Sequence, residues 1–469
     1  MSAALPLPDI QETVAPPRPI ALRANDLELY GLTSILIFAP LAFGAVEAWA
    51  IFVLQFSACL MFCTWIFRQV RAERITIKWN PVFSPMAGFG ALALIQLVPG
   101  VSAYRHATYS TLLLYTAYGF VCFLLTQFLE RTSHLSKLGS VFSVYGVTVA
   151  VFAVLQSLSA SGKLYWIRTP RFGGWIYGPY VNHNHYAGLM EMLTPIPLVY
   201  AFSRYAHGRK KWLAASAAAF MGATVFLSGS RGGMTAFAIE LGIFLCFLFR
   251  ERTHNRVVLL MGAFLLVAIG SIAGVGGSEV SSRISTLADY KHPDLNADIR
   301  LKIDRDALHM IAARPLFGWG LGTFADVYPQ FRSFYTNSLV NEAHNDYLQT
   351  LIETGILGFA FAIWLLIAAA RPAMRKIQNW PSNVNGIVAL AALLGISGIL
   401  VHSFVDFNLQ VPANAMWFYV LCTVAAMEPR FRNLKREYKH RDANIDSIVA
   451  PLQPEPRRTG DLANPTTSA

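Results

Sequence analysis

Charge is what this sequence has least of. Only 14% of its 469 residues are Asp, Glu, Lys or Arg, while 54% are hydrophobic, a balance that excludes an ordinary soluble domain and assigns the chain to a membrane. Cysteine is equally sparse: Cys59, Cys63, Cys122, Cys246 and Cys422 are the five, and each falls inside an apolar run. That placement argues against structural disulfides and against a cysteine metal site. The repeat symmetry that marks many transporters is missing. So are the charged start and cleavage site of a secretory signal in the proline-rich first 28 residues.

What the chain does have is long apolar runs. A hydrocarbon core about 30 Å thick needs about 17 to 25 apolar residues per helix. Runs of this kind lie near 29–46, 47–67, 83–98, 108–129, 138–159, 184–203, 212–228, 233–249, 257–275, 346–370, 384–404 and 414–428. The expected fold is therefore an all-α integral membrane protein with about twelve transmembrane helices. Lys and Arg alternate between its loops. The loops near 68–80, 130–138, 204–211, 250–256 and 371–383 hold 16 of them, and those near 99–107, 160–182, 228–232 and 405–413 hold five. Because cytoplasmic loops accumulate basic residues, both termini are expected in the cytoplasm. The net charge of +11 then reports topology, not a nucleic-acid footprint.

Three regions follow. Residues 1–28 read as a disordered cytoplasmic lead, 29–428 as a polytopic membrane domain, and 429–469 as a basic, loose cytoplasmic tail. Within the domain, 276–343 is a long outer connection of the sort that is functional or disordered. Inside it Ile299, Ile303, Ala307, Leu308 and Ile311 recur at helical spacing before Pro315 and "GWGLG", which predicts an amphipathic surface helix ended by a turn.

Polar residues collect at the outer ends of separate spans. Asn182, His183, Asn184 and His185 stand at the mouth of the sixth, with Glu191 two turns deeper; Ser228, Ser230 and Arg231 lie between the seventh and eighth, with Glu240 below. His344, Asn345, Asp346, Gln349 and Glu353 open the tenth, and His402, Asp406 and Asn408 close the eleventh. Ionisable groups at membrane depth are costly and usually mark a site or pathway. Asn345, Gln349 and Glu353 follow at i, i+4 and i+8, so one face of the tenth helix is expected to line a polar cavity. Taken singly, Asn182, Asn345 and Asp406 serve equally well as helix caps.

The stretches "VNHNHYAGLMEM", "SGSRGGM" and "HNDYLQTLIETGILG", with "PLFGWGLGTF" in the long loop before the last of them, resemble the O-antigen ligase and O-antigen polymerase superfamily of bacterial membrane glycosyltransferases. The resemblance covers roughly 170–415. It implies a GT-C-like helical membrane fold of about twelve spans with a large periplasmic loop, in the bacterial inner membrane of the cell envelope. The implied activity is polysaccharide biosynthesis, transferring a glycan from an undecaprenyl-pyrophosphate donor to an acceptor hydroxyl, as in ligation to lipid A core of lipopolysaccharide, repeat-unit polymerisation or protein glycosylation. The essential residues it implies are His344, Arg231 and a loop arginine, for which Arg300 fits best by position, with Arg305 and Arg314 close by.

The residue chemistry agrees with that expectation. Guanidinium forks match phosphate oxygens, so Arg231 and Arg300 suit a diphosphate whose charge grows as its bond to sugar breaks. A histidine suits removal of the acceptor's proton, and His344 is the candidate base. Asn182, His183, Asn184, His185, Asn345, Asp346, Glu353 and Asp406 are candidate substrate-binding residues. No metal and no cofactor is expected. "NHNH" spaces its histidines at i, i+2, on different helical faces, and the Asp304-to-Asp306 motif reads as solvated surface. Trp166, Trp175, Tyr177, Tyr180, Trp319 and Phe324 are either sugar-stacking residues or interfacial anchors. The rival class is a multispan transporter or flippase of envelope glycolipid. It should place polar residues near the bilayer midplane, whereas here they gather at one face.

Overall fold

A computed structural model describes residues 19–129, 131–159, 162–170, 175–251, 262, 295–336 and 339–427. Apart from Gly262, the expected span at 257–275 lies outside the described residues, as do the lead up to 18, the start of the long loop through 294 and the tail from 429. The described residues form helices and turns, with isolated bridges only at Leu164 to Arg168 and Tyr177 to Tyr180.

The helices are α1 (Pro19–Leu41), α2 (Ala48–Arg71), α3 (Phe83–Gln96), α4 (Arg105–Phe128), α5 (Thr132–Leu158), α6 (His183–Leu193), α7 (Pro195–Phe202), α8 (Gly208–Leu227), α9 (Arg231–Arg250), α10 (Leu295–Ala313), α11 (Asp346–Lys376), α12 (Val384–His402) and α13 (Pro412–Ala426). Among the described residues, six are long and apolar enough to cross a membrane: α2, α4, α5, α9, α12, and α11 with its short continuation to Ser382. α3 and α13 are shorter apolar helices.

Two expected elements differ. α1 begins at Pro19, inside the stretch expected to be a disordered lead. Its polar turns are tolerated because Glu28 is paired with Arg68 of α2, and Asp26 lies 3.0 Å from His134 of α5. The expected span at 184–203 is two helices, parted at Thr194 where Pro195 begins the second. Proline lacks the N–H that would continue the ladder.

α12 is the central helix and packs against α6, α7, α9 and α13. Gly395 shows how closely it can be approached: a Cβ there would lie 3.1 Å from the Met192 backbone of α6. Small residues permit this contact where apolar lipid gives helices little hydrophobic reason to associate.

α11 is broken, and the break shapes the site. Gly355 has φ 64° and ψ −168°, a conformation essentially restricted to glycine. The interrupted ladder is completed from another segment, with Ile356 N donating to Pro315 O at 2.8 Å and Leu357 N to Leu316 O at 3.3 Å. Just above, Trp319 N and Gly320 N donate to the Ile352 and Glu353 carbonyls at 2.8 and 2.9 Å. The "PLFGWGLG" segment is thereby stitched to the helix through its backbone.

α10 rests on this assembly. Ile303, Ala307 and Met310 are buried against Phe324, Val327, Tyr328, Ala343 and Ile352. The expected amphipathic helix is present with one correction: Leu308 points outward and is 58% exposed, while Met310 takes the inward position. Asp306 also departs from the solvated-surface reading. It is buried and accepts from Tyr328 Oη at 3.0 Å and Ser333 N at 3.1 Å, so it ties α10 to the turn that follows.

Candidate functional site

Four segments bring polar residues together around one carboxylate. Asp406, in the turn between α12 and α13, is 1% exposed by side chain. Asn184 of α6 donates to its Oδ2. His185 Nε2 and His344 Nδ1 each lie 3.9 Å from Oδ1, and Arg300 Nη2 lies 3.9 Å from Oδ2. Arg300 is held there by donating through Nη1 to Val405 O at 2.6 Å. Phe407 separates the two imidazoles, its ring 4.8 Å edge-on from both His185 and His344.

The electrostatics follow from this packing. Burial pushes the Asp406 carboxyl up, but the facing charges of His185, His402, Arg300 and His344 outweigh it, and its pKa is lowered from the ordinary value. Burial pulls the His344 imidazole down to about 4; Asp406 opposes this and the Arg300 cation adds to it. His344 is thus a neutral base near pH 7, with 31% of its side chain still exposed. Its backbone has φ 55°, a left-handed conformation costing a non-glycine residue about 1–3 kcal/mol. The fold accepts that cost directly before the Asn345 cap of α11.

Arg231 stands on the same end of the bundle. It opens α9 and is exposed, and its neighbour Gly232 packs so closely on the 402–405 turn that a Cβ would lie 2.7 Å from Val405 Cγ2. Val405 immediately precedes Asp406. The turn that bears Arg231 therefore packs on the same 402–406 turn that Arg300 and His344 approach.

Several expected substrate ligands are committed elsewhere. Asn182 caps α6 by accepting from Asn184 N at 2.9 Å, and Asn345 caps α11 by accepting from Tyr347 N and Leu348 N at 3.1 and 3.2 Å. Asp346 accepts from Ser403 Oγ at 2.8 Å, Leu409 N at 3.1 Å and Gln410 Nε2 at 3.3 Å, which fixes the turn bearing Asp406. Glu353 accepts from Gly322 N at 2.8 Å, Gln349 Nε2 at 3.3 Å and Phe324 N at 3.4 Å. The polar face of α11 is consequently filled by the chain's own residues 319–324 and 342–343 instead of lining an open cavity. Buried backbone N–H groups require acceptors, and this face supplies them. Beside it Gln349 also donates to Glu342, whose carboxyl burial raises to about 8. His183 packs its ring 4.9 Å from Trp175.

The loop arginines separate cleanly. Arg314 donates to Val101 O at 2.7 Å and stacks 4.4 Å from the Trp319 ring. Arg305 is exposed on the outer side of α10, and Arg300 alone of the three reaches Asp406. Among the outer-loop aromatics, Tyr177, Tyr180 and Phe324 are buried core residues, and only Trp166 and Trp175 are substantially exposed, at 44% and 45%.

Sequence reasoning missed two partnerships. Gln96 of α3 holds the glycine-rich segment from the other side, donating to Phe317 O and Glu353 O at 2.7 and 2.8 Å and accepting from Leu321 N at 3.0 Å. A lone glutamine in an apolar run was the available signal. His402 Nδ1 donates to Glu191 Oε1 at 2.9 Å, both residues being at most 1% exposed. Glu240 lies nearby with neither oxygen hydrogen-bonded, close to Gly398, where a Cβ would be 2.7 Å from Oε2.

Fold and site together define a multi-pass helical membrane protein with a cluster of imidazole, guanidinium and carboxylate groups at one end of the bundle. Residues 216–363, which contain Arg231, Arg300, His344 and Glu353, match the family described as O-Antigen ligase, and this match supports the resemblance to the O-antigen ligase superfamily. An uncharacterized protein of Haemophilus influenzae is 24% identical over 196 residues, 39% of this chain and 47% of the relative. The chain thus spans about half the length of the curated relative it matches.

Proposed function

We propose that this protein is a membrane glycosyltransferase that moves a glycan from an undecaprenyl-pyrophosphate donor to an acceptor hydroxyl at the periplasmic face of the bacterial inner membrane. The observation that carries the reading is the convergence of Arg300 and His344 on buried Asp406, each 3.9 Å away, at the end that also bears Arg231.

In this reading Arg231 and Arg300 grip the diphosphate. Charge-assisted bonds from planar guanidinium groups are among the strongest available, and they strengthen as the sugar–phosphate bond breaks and charge moves onto the leaving group. Uncharged His344 takes the proton of the acceptor hydroxyl, while Asp406 orients the ring and stabilises the imidazolium that forms. A separation of 3.9 Å is loose for a hydrogen bond, and such contacts commonly tighten once substrate binds. The acceptor oxygen attacks the anomeric carbon directly, the glycosyl–oxygen bond to diphosphate breaks, and configuration inverts. The pyrophosphate leaves as an anion, so no general acid is needed, and the two arginines supply the charge stabilisation. The same donor chemistry serves an O-antigen ligase and a repeat-unit polymerase.

The reading is tested by reconstituting the full chain in liposomes with a lipid-diphosphate glycan and an acceptor, then following release of undecaprenyl pyrophosphate. His344→Ala is expected to slow release by about 10²- to 10⁴-fold, the usual contribution of a positioned base. Robust release by His344→Ala would remove the base, and unchanged turnover in Arg231→Ala would remove the clamp.

A further inference from the structure

The most completely buried ionisable contact near the site is the pair His402 and Glu191, which the mechanism above does not use. His402 is the last residue of α12, and Glu191 lies two turns into α6. The imidazole Nδ1 donates to Glu191 Oε1 at 2.9 Å. An imidazole and a carboxylate inside a helical bundle are tolerated when paired, and the carboxylate then fixes both ring orientation and tautomer.

The other ring edge faces the turn that carries Arg231. His402 Nε2 lies 3.5 Å from Ser230 Oγ, and that hydroxyl caps α9 by accepting from Gly233 N at 3.1 Å. The two glycines after Arg231 are shaped to this contact. A Cβ on Gly232 would lie 2.8 Å from His402 Cδ2, and one on Gly233 would lie 3.1 Å from Glu191 Oε1. The "SRGG" turn is therefore seated on the pair, with Arg231 between two residues that touch it. On its C-terminal side His402 starts the next turn: its carbonyl accepts from Val405 N at 3.0 Å, and Val405 O receives Arg300 Nη1 at 2.6 Å. His402 thus meets the Arg231-bearing turn through its ring and, through its own backbone, holds the turn whose Val405 carbonyl receives Arg300.

We propose that His402, with its ring fixed by Glu191, is a positioning residue that sets the spacing of Arg231 relative to Arg300 for a diphosphate. The proposal rests on the diphosphate-clamp reading given above. It requires that His402 act through Arg231, so the two residues must be energetically coupled.

The test is a double-mutant cycle read by calorimetric binding of inorganic pyrophosphate to the purified full chain in detergent. Arg231→Ala is expected to weaken binding by roughly tenfold to a hundredfold, the scale of a lost charge-assisted bond. His402→Gln is expected to weaken it by about fivefold to tenfold alone and to add nothing in the Arg231→Ala background, the non-additivity that defines coupled residues. Glu191→Gln keeps an acceptor for Nδ1–H and should bind nearly as the parent does, whereas Glu191→Leu should reproduce His402→Gln. A purely structural role would give effects that multiply in the double mutant and no rescue by Glu191→Gln. Either result overturns the proposal. If Arg231→Ala leaves affinity unchanged, the clamp itself falls; if Arg231→Ala weakens binding and His402→Gln does not, only the positioning role falls. Should His402→Gln fail to fold, Ser230→Ala enters the same cycle with the same expected non-additivity, and additive behaviour there counts against the proposal.

Discussion

Replacing Gly355 with alanine probes the construction that holds the site loop. The residue adopts φ 64° and ψ −168° within α11, a region nearly closed to other residues, so an alanine there costs about 1–3 kcal/mol in backbone strain alone. Its Cβ would also meet backbone, lying 2.7 Å from Phe317 N with the Leu316 carbonyl closer still. Neither group can rotate away. Relief requires the 315–317 segment to withdraw and give up the bonds from Ile356 N to Pro315 O and from Leu357 N to Leu316 O, each worth about 1 kcal/mol net. Together these effects destabilise the fold by about 3–5 kcal/mol. At roughly 2 °C per kcal/mol for a larger domain, thermal unfolding in detergent should fall by roughly 5–10 °C. Because α10 rests on Phe324 and Ile352, Arg300 loses its support and glycan transfer should weaken even below the melting temperature. Gly90→Ala is the control: it lies in α3 with nothing within 4 Å of a new Cβ and should be neutral or stabilising by up to about 1 kcal/mol. A Gly355→Ala protein that melts within a degree of the parent would refute the argument.

Two further outcomes separate roles that sequence spacing left together. Arg300→Ala is expected to lower glycan-transfer rate by about 10²- to 10³-fold, the scale of one lost charge-stabilising donor, with little change in melting temperature. Arg314→Ala should do the reverse, lowering stability because Arg314 braces Val101 O and Trp319 while affecting turnover below the melt only mildly; paired assays of rate and melting distinguish them. The pH dependence of kcat/KM checks the state of His344. With its pKa held near 4, the required neutral base is present above that value and is lost as pH falls through it. The acid limb should therefore lie near pH 4 to 5, well below the roughly 6.5 of an unperturbed histidine; a limb at 6.5 would show that burial and the Arg300 cation do not hold the imidazole down.

Composition alone decided that the chain is helical and enters a membrane, because backbone groups in hydrocarbon must bond within their own segment. It also located the site's end of the molecule. Polar residues that interrupt apolar runs are costly unless they have partners, so His185, Arg231, His344, His402 and Asp406 stood out by position. The glycines of "ETG" and "GWGLG" were visible too, without their purpose. What sequence could not decide was which polar residues serve the fold and which face a ligand, since a cap, a clamp and a substrate contact use the same side chains. Only tertiary structure committed Asn182 and Asn345 to helix starts, Asp346 and Glu353 to backbone N–H groups, and Arg314 to a carbonyl 213 residues away. It likewise brought Arg300 to Asp406 and His402 to Glu191. These pairings join segments separated by more than a hundred residues, and their partners are set by how helices cross, a property that no local pattern encodes.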